Sequence, residues 1–236
     1  EGADEVFGGY DIFKEAKIRQ FWARYPDSRL RPQLLKRLYP YLDLSKDQAL
    51  GYLQSFFGVG LNNPQLAYFS HLPRWVTTAK CKAFYSADMI GSLRDDPYDT
   101  LAASLPDTVG GWADFNRAQY IESKTLMSGY LLSSQGDRML MKNSIEGRFP
   151  YLDHRVIEFI YRLPASWIIR DGVSKYMLKR VMQRFEDVDL SRTVKHYVAT
   201  PQREWLKGPL FSPIIEMLDT GIMRRSGLVD YDAWRR

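Results

Sequence analysis

Apolar residues recur at helical spacing through much of this chain, and the pattern predicts a succession of helices. Asp11 to Tyr25 reads as a helix with Ile12, Phe13, Ala16, Phe21 and Trp22 at roughly helical spacing, and Pro26-Asp27 ends it. Pro32 is placed as a first-turn proline before the short apolar stripe Leu34, Leu35, Leu38, which Pro40 closes. Ser45 is placed to cap a helix from Lys46 to Phe57, with Leu50, Leu53, Phe56 and Phe57 inward. Gly58 to Pro64 reads as a loop, and a further helical segment closes at Leu72-Pro73. Lys80 to Ser104 reads as two short helices around Asp95-Asp96-Pro97.

The second half follows the same style. Trp112 to Leu132 reads as one long helix, which Gly136-Asp137 is expected to interrupt, with Asp137 capping a short helix through Met141. Phe149 precedes Pro150 and is biased to extended backbone; if its predecessors are extended too, Ser144, Glu146 and Arg148 share one face. Asp153 is placed to cap a helix whose Val156, Ile157 and Ile160 form an inward stripe, and Leu163-Pro164 stops it. Asp171-Gly172 is a turn, and Ser174 opens a helix carrying Met177, Leu178, Val181 and Met182. From Ser191 onward the chain is rich in Arg, Pro and Trp and reads as partly irregular.

Composition narrows the class. With 236 residues, 45% hydrophobic and 14% aromatic, the chain has the material for a sizeable core. Its net charge of +5 suits a nucleotide or nucleic-acid binder, but the basic residues are dispersed and no run resembles a nucleic-acid arm. Cys81 is the single cysteine, so no disulfide forms within the chain, which fits a reducing cytosol. His71, His154 and His196 lie far apart and argue against a zinc site. The longest uncharged stretch, Gln48 to Pro73, is broken by Asn62-Asn63-Pro64-Gln65 and fails as a membrane span.

Two segments carry candidate chemistry. The first is Glu1-Gly2-Ala3-Asp4-Glu5-Val6-Phe7-Gly8-Gly9-Tyr10, three carboxylates within five residues among glycines. Such a loop offers backbone N–H groups to phosphate and carboxylates to Mg²⁺. It also reads as an acidic helix start suited to the helix dipole. The second is Asp137-Arg138, Met141 and Ser144-x-Glu146-x-Arg148-x-Pro150-x-Leu152-Asp153. Glu146 and Arg148 read either as a buried ion pair that fixes the chain path or as ligand contacts.

The first segment resembles the S-G-E-G-x-D-E-x-F-G-G-Y signature of the asparagine synthetase family, glutamine-dependent amidotransferases that adenylate a carboxylate. The sequence starts at the Glu of that signature. The second resembles the family's D-R-x-x-M-x-x-S-x-E-x-R-x-P-F-L-D block, with Tyr151 in place of Phe. Leu163-Pro164, Gly172-x-x-Lys175 and Lys195 are similar, in order and approximate spacing, to the later L-P, G-x-x-K and R-x-K elements. The resemblance spans roughly residues 1–10 and 110–205.

The resemblance implies a mainly α fragment of an α/β synthetase domain of the PP-loop ATP pyrophosphatase (adenine nucleotide α-hydrolase-like) kind, with residues 1–236 its C-terminal part. The family's glutaminase domain and its S-G-G-x-D-S ATP loop do not occur in this sequence and are expected upstream. The implied reaction is ATP-dependent, Mg²⁺-assisted amidation of aspartate through an acyl-adenylate, with ammonia derived from glutamine. Another carboxylate, such as a uronic acid, is the alternative substrate, and a non-catalytic helical binding module is the competing class. By resemblance Glu1 serves adenylate formation and aminolysis, and Asp4 holds Mg²⁺-pyrophosphate. Gly2 and Arg148 line the nucleotide side. Lys175 and Lys195 face the pyrophosphate and the charge developing at the α-phosphate, where fixed cations act most strongly in the transition state. No nucleic-acid or membrane partner is expected, the setting is cytoplasmic, and association between copies is expected where apolar surface is left uncovered.

Overall fold

The computed structural model describes residues 1–39, 47–185, 201–219 and 221–234. The predicted Ser45 cap, Lys195 and residues 191–200, 220 and 235–236 of the tail lie outside them; the described part of that tail, read as partly irregular, forms short helices over Gln202–Lys207, Phe211–Asp219, Gly221–Ser226 and Tyr231–Trp234. The described residues are helical, and their only β pairing is in two isolated bridges, Tyr85 with Val229 and Arg170 with Val173. The first half forms α1 (Ala3–Val6), α2 (Asp11–Ala23), α3 (Asp47–Phe57), α4 (Leu72–Ala79), α5 (Ala87–Ser92) and α6 (Pro97–Ala103). The second half forms α7 (Asp114–Glu122), α8 (Arg138–Lys142), α9 (His154–Tyr161), α10 (Ala165–Ile168) and α11 (Tyr176–Met182). No helix among the described residues is long and apolar enough to cross a membrane.

The chain divides into two compact units, one of Glu1–Val76 and Pro106–Thr193 and another of Thr77–Leu105 and Val194–Arg236. In the second unit Ser86 caps α5 by accepting from the Met89 amide at 3.0 Å, and Asp96 caps α6 at the Tyr98 amide at 2.7 Å. Pro97 sits in the first turn of α6, where a missing N–H costs nothing. Cys81 is exposed.

The first unit holds the core. Ile12, Phe13 and Ala118 pack α2 against α7, with Phe115 5.3 Å from Phe13 between ring centroids. Val6, Phe7, Ile160 and Ile168 form a second cluster, flanked by Leu152, Val156, Ile157, Met177 and Leu178. The predicted apolar stripes of α9 and α11 therefore converge on the end of α1. Phe21 and Val181, though they share the apolar spacing of their helices, lie exposed. Phe21 instead stacks under the Arg31 guanidinium, 4.1 Å from its ring centre.

Two charged residues of α2 are buried where the apolar pattern predicts nothing charged. Arg19 donates from Nε to the Phe57 carbonyl at 2.9 Å and from its other nitrogens to the Phe69 and Val59 carbonyls. Burial lowers its pKa to about 10, Glu15 opposes the shift, and the guanidinium stays charged at neutral pH. Glu15 accepts two hydrogen bonds from Arg74, at 2.5 and 2.8 Å, and one from the Tyr39 hydroxyl.

The expected break at Gly136-Asp137 does not occur. From α7 the chain continues as π-helical turns over Ser123–Asp137 and runs directly into α8. Asp137 has helical backbone angles and makes no side-chain cap. Thr125, Ser128 and Ser133 each donate a hydroxyl hydrogen bond to the carbonyl four residues earlier. That competition for carbonyls loosens α-helical pairing and favours the wider turn.

Candidate functional site

The site is built at α1, a single turn that would not persist alone. Gly2 precedes it with φ 87°, a left-handed conformation natural to glycine. A Cβ placed there would sit 2.2 Å from Leu152 Cδ2, so the second block leaves room only for a hydrogen at this position. Phe7 meets Tyr151 edge to face at 5.5 Å. The two sequence blocks thus touch, through Leu152 and Tyr151 on one side and Gly2 and Phe7 on the other.

The three carboxylates of the first block separate into different roles. Glu1 is exposed. Asp4 forms an ion pair with Lys175, Oδ1 to Nζ at 2.9 Å, with both side chains about a quarter exposed. Glu5 points into the core, 1% exposed, and accepts a hydrogen bond from the Tyr10 hydroxyl at 2.7 Å. Burial pushes the Glu5 carboxyl above the usual carboxylate range, and the Tyr10 hydrogen bond only partly offsets it. Glu5 is therefore a structural group, which corrects the reading of all three carboxylates as candidate metal ligands.

Gln119 is a residue that sequence reasoning missed. It is 1% exposed and its amide donates to the Glu5 carbonyl at 3.1 Å and the Val6 carbonyl at 2.7 Å. These are carbonyls at the end of α1 that lack a helical partner. The signal available was a glutamine between the buried Ala118 and Ile121. His71 was missed in the same way: Ser70 Oγ lies 2.8 Å from its Nδ1 and Glu122 2.6 Å from its Nε2. All three are buried, so the trio ties the 70–71 corner to α7 and offers no access to a substrate.

Lys175 reaches Asp4 from a turn in which Asp171, Gly172 and Lys175 all have positive φ. Arg170 and Val173 close that turn with two backbone hydrogen bonds, at 3.2 and 2.8 Å. The beginning of α11 is therefore Tyr176 rather than Ser174, with Lys175 as the left-handed residue before it. Asp153 caps α9 as predicted, accepting from the Arg155 amide at 2.9 Å.

Arg148 pairs with Glu146 at 2.6 Å, but the two side chains are 82% and 74% exposed. The expected buried ion pair is thus a surface pair, of the kind worth at most about 1 kcal/mol. Ser144 has φ 54°, so the run leading to Phe149 is not uniformly extended and the shared face of Ser144, Glu146 and Arg148 reduces to the last two.

The donor set fits a cation that arrives with its anion. Among the described residues no group of three His, Cys, Asp or Glu side chains is placed to hold a metal. Asp4 is a carboxylate beside a lysine, and Mg²⁺ commonly binds through one or two carboxylates plus substrate phosphates.

Comparison with known proteins shows the family. The asparagine synthase family model matches residues 1–236, and the chain belongs to that family. It is 27% identical over 212 residues to asparagine synthetase [glutamine-hydrolyzing] 1 of Bacillus subtilis, covering 89% of this chain and 31% of that protein. It is 28% identical over 214 residues to a putative asparagine synthetase [glutamine-hydrolyzing] of Mycobacterium tuberculosis, covering 88% and 30%. It is 25% identical over 257 residues to the amidase chry2 of Gibberella zeae, covering 99% and 36%. The chain spans about a third of the length of these relatives. No solved structure matches it.

Proposed function

We propose that the complete gene product carrying this chain is an ATP-dependent ligase that amidates a carboxylate, aspartate by default, through an acyl-adenylate. The observation that carries this reading is the Asp4–Lys175 pair at 2.9 Å, formed between the first family block and the later Gly172-x-x-Lys175 element. Attack of a carboxylate on the α-phosphate of ATP brings two anions together, and it releases pyrophosphate. Lys175, with Lys195, supplies fixed positive charge where that negative charge accumulates. Asp4 holds Mg²⁺, which neutralises phosphate charge when bound. Glu1, exposed before α1, takes the proton that ammonia loses as it displaces AMP. Gly2 lets Leu152 pack against the start of α1 and so holds the first block in place, and Arg148 answers phosphate or carboxylate charge from the surface. The wider fold is of the PP-loop kind, with the ATP loop and the glutamine-hydrolysing domain encoded outside residues 1–236. The names of the two bacterial relatives support glutamine as the nitrogen source.

The test is a substrate screen on the complete gene product. With ATP, Mg²⁺ and amide-labelled glutamine, aspartate is expected to yield AMP, pyrophosphate and labelled asparagine in equal amounts. Amide formation on a uronic acid and not on aspartate would transfer the reading to the alternative substrate. Failure of every carboxylate to release AMP would overturn the ligase reading.

A further inference from the structure

The contact between Asp4 and Lys175 is more enclosed than a generic surface ion pair. Asp4 Oδ1 is shut away from water, and the ammonium of Lys175 sits 2.9 Å from it. Gly9 makes the contact sterically possible. A Cβ on Gly9 would lie 1.8 Å from Asp4 Oδ1 and 2.3 Å from Lys175 Cε, so no other residue fits beside the pair as it stands. The Gly9 amide donates to the Asp4 carbonyl at 2.7 Å, which holds this close approach in place. Lys175 meanwhile is a non-glycine residue at φ 54°, a conformation that the surrounding turn must enforce. Immediately before it, Ser174 carries a buried hydroxyl with no hydrogen-bond partner among the described residues. A buried unpaired hydroxyl is costly, and such sites call for an acceptor.

We propose that Asp4 and Lys175 form a latch that couples the binding of divalent cation and pyrophosphate, with Gly9 as its positioning residue. The proposal rests on the reading of this site as a Mg²⁺-pyrophosphate site. In the closed state the oxygen that a metal needs is covered by the protein's own cation. The lysine that an anion needs is neutralised by the protein's own carboxylate. A metal ion alone must displace the ammonium, and pyrophosphate alone must draw Lys175 away from Asp4. Once either ligand has opened the pair, the other binds without that cost. Linkage makes the effect reciprocal, and couplings of this kind typically amount to about 5- to 150-fold in affinity. The opened lysine brings Ser174 beside the anion as a neighbouring donor.

The experiment is calorimetric titration of the complete gene product with Mg²⁺ alone, inorganic pyrophosphate alone, and Mg²⁺ with pyrophosphate. The variants are Lys175→Met, Lys175→Arg and Gly9→Ala, each first checked for native circular dichroism and cooperative melting. Lys175→Met is expected to bind Mg²⁺ alone roughly five-fold more tightly than the unmodified protein, at the low end of the coupling range. It is also expected to bind Mg²⁺-pyrophosphate more weakly. Lys175→Arg, which keeps the charge, is expected to restore weak binding of Mg²⁺ alone. Gly9→Ala keeps the lysine but has no room for the pair, and its coupling is expected to fall toward unity. If Lys175→Met binds Mg²⁺ alone no more tightly than the unmodified protein, the latch is overturned and the site reading stands. If the unmodified protein binds neither Mg²⁺ nor pyrophosphate in any combination, the site reading itself falls, and the latch with it.

Discussion

At the scale of single residues, the first block separates by burial rather than by charge. Asp4 and Glu5 are neighbours with the same chemistry, yet one pairs with Lys175 near the surface and the other is enclosed with Tyr10. Burial raises the Glu5 pKa, so the folded protein binds the Glu5 proton more tightly than the unfolded chain does. The sign follows: the stabilising effect of that proton is complete below the unfolded pKa and is lost as pH rises through the folded one. Glu5→Gln, which keeps an acceptor for Tyr10 and removes the charge, is therefore expected to melt higher than the unmodified protein near neutral pH. The gap should close toward about pH 4, near the ordinary carboxylate pKa. Melting curves between about pH 4 and about pH 8 test this, and a gap that widens in acid would contradict it. Gly2 is the other diagnostic residue. Gly2→Ala forces a methyl onto Leu152 and adds left-handed strain, and a loss of roughly 1–3 kcal/mol in denaturant titration is expected.

At the scale of elements, α2 is anchored by a cation more than by its apolar stripe. Arg19 reaches three carbonyls on the segment from Phe57 to Phe69, and its guanidinium lies 3.9 Å over the Phe69 ring. Arg19→Met would leave those carbonyls without a donor, and a loss of at least about 3 kcal/mol is expected from one to three per buried unpaired group. Arg19→Lys cannot reproduce the planar fork and is expected to recover only part of it. A wild-type denaturation midpoint for Arg19→Met would contradict this account of the element. The helices themselves were largely legible from spacing and caps: α2 begins at the predicted Asp11, and α9 takes Asp153 as its cap. The continuous helix through Gly136 was not, because hydroxyl back-bonding from Thr125, Ser128 and Ser133 is invisible to an apolar pattern. Buried Glu15, Arg19 and Gln119 escaped for a related reason, since their partners are backbone groups and side chains distant in sequence.

At the scale of the whole molecule, the two motif blocks were legible as residue strings, but that Leu152 and Tyr151 pack against Gly2 and Phe7 was not. The Asp4–Lys175 pair joins residues 171 positions apart in number (175 − 4), and only the fold brings them together. Large apolar side chains including Leu30, Met141, Phe159 and Trp167 remain exposed in the first unit. The 236-residue chain by itself is therefore expected to self-associate, as sedimentation velocity over a concentration series would reveal. A monomer throughout the series would argue that this surface is tolerated by water.

The central claim, that this site activates a carboxylate on ATP, is tested most directly by aspartate-dependent exchange of labelled pyrophosphate into ATP by the complete gene product. Unmodified protein is expected to exchange label, and Asp4→Asn to lose on the order of 10²-fold, because a neutral amide is a poorer Mg²⁺ ligand than a carboxylate. Exchange at the unmodified rate in Asp4→Asn would contradict the account.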